Sequence, residues 1–137
     1  MRILHLITLT AFTFYAFLLC GCSENSKKAT DTGKAFLKSM YTCNFKTCDA
    51  LCTERGKNAV RWFASNLTEE DLTLISPYIE IETKDCKIRD NSASIIYIAK
   101  NVIICDSLEA RGHLGNKSVT IKLENVKGSW KVNELEW

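Results

Sequence analysis

The residues of this 137-residue chain best equipped for chemistry are thiols: Cys43, Cys48 and Cys52 sit close together, and Cys86 and Cys105 follow at wide spacing. Three chemistries suit such a set. In an oxidising compartment the five form at most two disulfides and leave one thiol over, with a pairing that sequence alone does not resolve. As metal ligands they would need a CxxC pair or nearby histidines, and the only histidine beyond the N-terminal stretch is His113, so no metal is expected. As a nucleophile a thiol needs a neighbour that lowers its pKa, and neither a CxxC motif nor a positioned histidine supplies one. A bridge drawing on the 43/48/52 group and another involving Cys86 or Cys105 is the expectation, each contributing about 2–4 kcal/mol by restricting the unfolded chain.

Acid/base chemistry would fall to Asp49, Asp85, Tyr97 or His113. A proton-transfer group must have a shifted pKa and lie within hydrogen-bond reach of its substrate. Asp49 belongs to a helical stretch and reads as exposed, and His113 lies between Gly112 and Leu114 in an apparent loop. Asp85 falls where a strand changes phase and Tyr97 alternates with Ile96 and Ile98, so these two are the candidate cavity residues. No catalytic residue is assigned. No cofactor is expected either, since Gly112-His113-Leu114-Gly115 lacks the glycine spacing and strand–helix setting of a phosphate loop.

The compartment is set by the N-terminus. Arg2 precedes an apolar run from Ile3 to Leu19 that contains no acid and no lysine, the layout of an export signal. A run of this length also approaches that of an uncleaved membrane anchor. Its ending, Leu19-Cys20-Gly21-Cys22, resembles the bacterial lipobox, with Cys20 in place of the commoner small residue. That resemblance implies a signal peptide over 1–21, cleavage after Gly21 and fatty acylation of Cys22 with a palmitate-type chain. Ser23, not Asp, follows the cysteine, which by the enteric sorting rule implies the outer membrane. Residues 22–29 read as a polar tether, and seven extended residues would lift a domain roughly 23 Å from the bilayer.

Charge excludes one class of partner. Eighteen basic residues stand against 16 acidic ones, and no basic run exceeds two residues. A nucleic-acid binder needs a concentrated cationic face, so none is expected.

Positioning these side chains falls to one domain over residues 30–137. Thr30 or Thr32 would cap a first helix, with Gly33, Phe36, Leu37, Met40 and Tyr41 on one stripe. Phe45, Cys48, Leu51 and Cys52 continue at helical spacing beyond a turn at Asn44, and Val60, Phe63, Ala64 and Leu67 mark another helix. Thr68 with Asp71 forms a capping box for a short last helix that ends before Pro77. The period then changes to two. Tyr78 to Arg89 alternates with a phase switch between Ile81 and Cys86, predicting a bulge, and Asp90-Asn91 turns the chain into a central strand from Ser92. Val102 to Cys105 extends the sheet or packs irregularly, Asp106 to Lys117 reads as a loop, and Ser118 to Asn125 pairs with Ser129 to Glu136 across Lys127-Gly128. Helices followed by an antiparallel meander make an α+β fold, the helices laid on a curved sheet.

The closing Lys127-Gly128-Ser129-Trp130-Lys131-Val132 resembles the Gly-x-Trp-x-Val ending of many nuclear transport factor 2-like (cystatin-like) domains, and the helical start from Ala35-Phe36-Leu37 is similar to small lipoproteins of that superfamily. The resemblance implies a cone, in which helices cover a bent sheet around an interior that in some members is a ligand cavity. Asp106-Ser107-Leu108 resembles the three-residue acceptor of bacterial O-glycosylation, implying modification at Ser107. The resulting expectation is a lipid-anchored, non-catalytic envelope protein that binds a small ligand or an envelope protein. The alternative is an isomerase or lyase with Asp85 and Tyr97 in its cavity.

Overall fold

The computed structural model describes residues 24–105 and 112–137. The signal segment, Cys22 and Ser107 lie outside the described residues.

Helix α1 occupies residues 24–41. Residues 24–29 therefore belong to the domain and not to a tether, which removes the expected spacer. Contacts distant in sequence hold this first stretch: Trp130 Nε1 donates to Asn25 Oδ1 at 3.0 Å, Ser26 Oγ lies 3.5 Å from Cys86 Sγ, and Ala29 is fully buried. Glu24 and Lys28 add an ion pair one turn apart at 3.2 Å. The predicted stripe is the buried face, with Phe36, Leu37, Met40 and Tyr41 inaccessible to solvent or nearly so. Each such side chain contributes about 1.5–3 kcal/mol on leaving water.

The end of α1 is a Schellman motif. Asn44 N–H donates to the Ser39 carbonyl at 2.8 Å and Cys43 N–H to Met40 at 3.0 Å, which requires the left-handed conformation seen at Cys43, φ 60°. Asn44 then caps α2 (Phe45–Ala50) by accepting from the Thr47 amide. Beyond α2 the chain runs beside the last strand: Val132 N–H donates to Leu51 O at 2.8 Å and Thr53 N–H to Val132 O at 2.9 Å. Gly56 turns the chain out of this pairing, and an added Cβ there would come within 2.1 Å of the Val132 oxygen. Helix α3 (Lys57–Asn66) buries Val60 and Phe63, and α4 (Glu69–Leu72) carries the predicted capping box of Thr68 and Asp71.

Four antiparallel strands follow in the order β1 (Glu80–Arg89), β2 (Ser92–Ile104), β3 (His113–Val126) and β4 (Ser129–Glu136). The predicted bulge in β1 lies between Thr83 and Asp85, where Lys84 is the residue without a partner on β2. A second irregularity between Ala99 and Val102, with Asn101 at φ 58°, lets β2 continue to Ile104. That continuation offers a ladder to residues expected to lie in a loop, so β3 begins at His113, paired with Ile104. Lys127 and Gly128, both at positive φ, close the last hairpin. Ile95, Tyr97 and Ala99 of β2 with Val119, Ile121 and Leu123 of β3 form the concave floor on which α1 rests.

Candidate functional site

The concave side of the sheet is where a cone-shaped domain would hold a ligand, and here it is filled. Tyr97 rises from the floor of β2, fully buried, and its hydroxyl donates to the Thr30 carbonyl of α1 at 2.9 Å. The absence of a Cβ at Gly33 makes the approach possible, since one built there would lie 2.1 Å from that hydroxyl. Burial pushes the ionisation of Tyr97 and of Tyr41 well upward, so both hydroxyls stay neutral.

The interior beyond the end of α1 is plugged by rings. Tyr41 meets Phe63 edge to face at 5.6 Å between centroids, Phe45 meets Phe63 at 6.4 Å, and Trp137 lies 6.2 Å from Phe63 and 5.5 Å from Trp62. Such pairs add about 0.5–1.5 kcal/mol beyond the area they bury. The void left among Tyr41, Phe63, Ile103, Cys105 and Trp137 is about 10 Å³. That is at the lower limit for a single water molecule.

The acid/base candidates do not converge. Asp85 pairs across the ladder with Ile96, and Thr83 with Tyr97, so the bulge at Lys84 turns Asp85 to the convex face while Tyr97 points inward. Asp85 is half exposed and lies 3.8 Å from Lys87. The two therefore share no cavity, which corrects the expectation that paired them. Asp49 is exposed on α2, and His113 is exposed at the start of β3.

The cysteines are also dispersed in role. Cys43, Cys48, Cys52 and Cys86 are thiols without a disulfide, contrary to the bridges expected. Each described sulfur contact runs to a different part of the chain: Cys48 Sγ points at the Phe36 carbonyl at 3.7 Å, and Cys86 Sγ lies between Ser26 and Thr30 hydroxyls at 3.5 and 3.8 Å. Burial first, and the neighbouring Cys52 second, push Cys48 up to about 12, and burial does the same to Cys52. Neither is a thiolate near neutrality, so neither is a nucleophile or a ready metal ligand. Among the described residues no group of three or more His, Cys, Asp or Glu side chains is arranged to hold a metal ion.

One polar cluster went unassigned in the sequence. Asp71, 5 % exposed, accepts from Thr68 N–H at 2.9 Å through Oδ2 and from Gly112 N–H at 3.1 Å through Oδ1, and Cys105 Sγ faces Oδ2 at 4.0 Å. The backbone bond from Thr68 is the chief cause holding this carboxyl below its usual range. The capping box was its legible signal. The tie to Gly112 was not, because it spans 41 residues. An added Cβ at Gly112 would lie 2.5 Å from Oδ1, so the close approach needs glycine. This cluster locks α4 to the β2–β3 end of the sheet.

The convex face of the sheet is the broad accessible surface. Ile96 and Ile98 are partly exposed along its centre, and Thr120 lies beside Ile96 in the ladder. Ion pairs flank them: Lys100 with Glu82 at 3.0 Å and Glu80 at 3.7 Å, Lys122 with Glu136 and with Glu134 at 3.8 Å, and Arg55 with Glu134 at 3.2 Å. Water screens exposed pairs of this kind, and they do little for stability. They give the face a pattern of alternating charge around a short aliphatic strip.

Four helices covering one side of a bent antiparallel meander, with the interior between them, make the cone architecture of nuclear transport factor 2-like domains. Solved structures agree. A Campylobacter jejuni protein described as an NTF2-like transpeptidase matches at 14 % identity and TM-score 0.54, over 75 % of this chain and 94 % of that one. A Streptomyces avermitilis protein described as a dehydratase of the NTF2-like family matches at 14 % identity and TM-score 0.52, over 82 % and 94 %. No protein-family model matches the chain, and no curated protein matches it significantly. At such identities the likeness is one of fold, which is used by enzymes and non-enzymes alike.

Proposed function

We propose that this chain is a lipid-anchored, non-catalytic domain of the cell envelope, held to a membrane by an acylated Cys22, that binds an envelope protein through the convex face of its sheet. The observation that carries this reading is the filled cone: Tyr97, Phe36, Met40 and Tyr41 occupy the interior, and the remaining void at the aromatic plug is about 10 Å³. A small ligand inside the cone is the lesser option, because ligand cavities run to about 300–1,000 Å³. Against an isomerase or lyase stands the separation of Asp85 and Tyr97 onto opposite faces of the sheet. Ser23 following the acylated cysteine favours the outer membrane.

Photo-crosslinking from position 96 in cells, with the anchor checked by intact mass, tests the reading. Wild-type chain should carry acyl mass on Cys22 and fractionate with membranes, Cys22→Ala should not, and a crosslinker at Ile96 should yield one discrete protein adduct. Copurification of a stoichiometric small molecule that is lost on unfolding, with no adduct from position 96, would replace partner binding with ligand binding.

A further inference from the structure

The two described hairpin turns, Asp90-Asn91 and Lys127-Gly128, lie at the same end of the meander, and the start of α1 lies there too. Asn25 meets Trp130 beside the second turn, and Ser26 meets Cys86 close to the first. Helix α1 is already formed at residue 24, two positions after Cys22. An acyl chain on Cys22 leaves almost no slack, so this end must lie against the bilayer. The aromatic plug, at the far end of an 18-residue helix, stands about 27 Å away.

The chemistry of that end suits such a neighbour. Lys27, Arg89 and Lys127 are exposed there, none forms an ion pair among the described residues, and they outnumber the exposed acids beside them, Asp90 and Glu124. Lys87, Arg89 and Lys122 line a hollow of about 320 Å³ with Ser92, Ser94 and Glu124, large enough for a phosphate group. Val126, 42 % exposed, supplies an apolar contact next to Lys127. From this placement we infer that the turn-bearing end of the domain is a docking surface for anionic phospholipid headgroups, with Lys27, Arg89 and Lys127 as its principal cations. The inference rests on the acylated Cys22 of the proposed function. Cations held near a charged bilayer each strengthen association roughly fivefold, within a Debye length of about 8 Å at physiological salt.

Lysine acetylation footprinting of the full acylated protein, reconstituted in vesicles and read by mass spectrometry, tests this. On vesicles containing anionic phosphatidylglycerol, Lys27 and Lys127 should react roughly fivefold more slowly than on pure phosphatidylcholine, while Lys38 and Lys46, toward the other end of α1, react equally on both. The exposed double variant Arg89→Glu/Lys127→Glu should lose the protection at Lys27 and keep its circular dichroism spectrum. Protection that is absent, equal on both lipids, or reproduced by inorganic phosphate without vesicles overturns the docking surface and leaves the anchor standing. A protein that carries no acyl mass overturns both.

Discussion

The Tyr97 hydroxyl occupies the place where a side chain on Gly33 would begin, and the 2.9 Å bond it donates to Thr30 fixes the height of α1 above the sheet. A residue that reads as a helix-weakening glycine is thus the one that admits a tyrosine through the helix surface. Gly33→Ala should gain up to about 1 kcal/mol of helix propensity and lose more to overpacking, for a net loss of about 1–2 kcal/mol in urea unfolding. Tyr97→Phe alone should cost about 0.5–1.5 kcal/mol. Because the two share one contact, the double variant should cost less than the sum, and strict additivity would show that the contact carries no energy.

Asp71 should make stability depend on pH in the acid range. Its folded pKa is held below the usual value, chiefly by the Thr68 amide, so the folded state binds fewer protons than the unfolded one. Its contribution is complete above the unfolded value of about 3.9 and is lost as pH falls through the lower folded value. Asp71→Asn should flatten this part of the stability profile, as measured by chemical denaturation between neutral and strongly acid pH. In native-state exchange at neutral pH, the Gly112 amide should lose protection in the same variant. An unchanged profile would remove the carboxylate from the account of how α4 is held.

Cys48 and Cys52, with ionisation pushed up to about 12, should resist iodoacetamide at pH 8 in the folded chain and react fully once unfolded. Peptide mapping reads this directly. Fast native alkylation at Cys48 would mean that α2 opens readily.

Cys43 pays a steric penalty for its left-handed conformation at the end of α1. Cys43→Gly should therefore raise stability by about 0.5–1 kcal/mol, seen as a higher melting temperature at unchanged unfolding enthalpy. A lower melting temperature would indicate that the side chain contributes packing that outweighs the strain.

The sheet was legible where both kinds of local signal agreed. Val119, Ile121 and Leu123 alternate with polar residues, Lys127-Gly128 marks the turn, and the structure places all three apolar side chains inward. The phase switch in β1 was also legible, but the position of its extra residue was not. That detail decides the face of Asp85, since inserting Lys84 rather than a later residue sends the carboxylate outward and Cys86 inward. The first turns of α1 were hidden for a different reason: Asn25 and Ser26 are held by Trp130 and Cys86, far along the chain, and no periodicity announces such partners. His113 to Lys117 likewise join β3 only because β2 resumes beyond Asn101.

The short run at Leu51–Thr53 alongside β4 bears on how copies of the domain would meet if the proposed anchor gathered them on one surface. It occupies the N–H and carbonyl of Val132 at the middle of β4, which the strand would otherwise offer to a neighbour, and at the opposite margin β1 is bent by its bulge and studded with Lys84, Asp85, Lys87 and Arg89. Neither border invites another copy to zip on. Brought to high density by such an anchor, the domains should remain separate bodies and not knit into a fibre, with their convex faces left clear for whatever they meet.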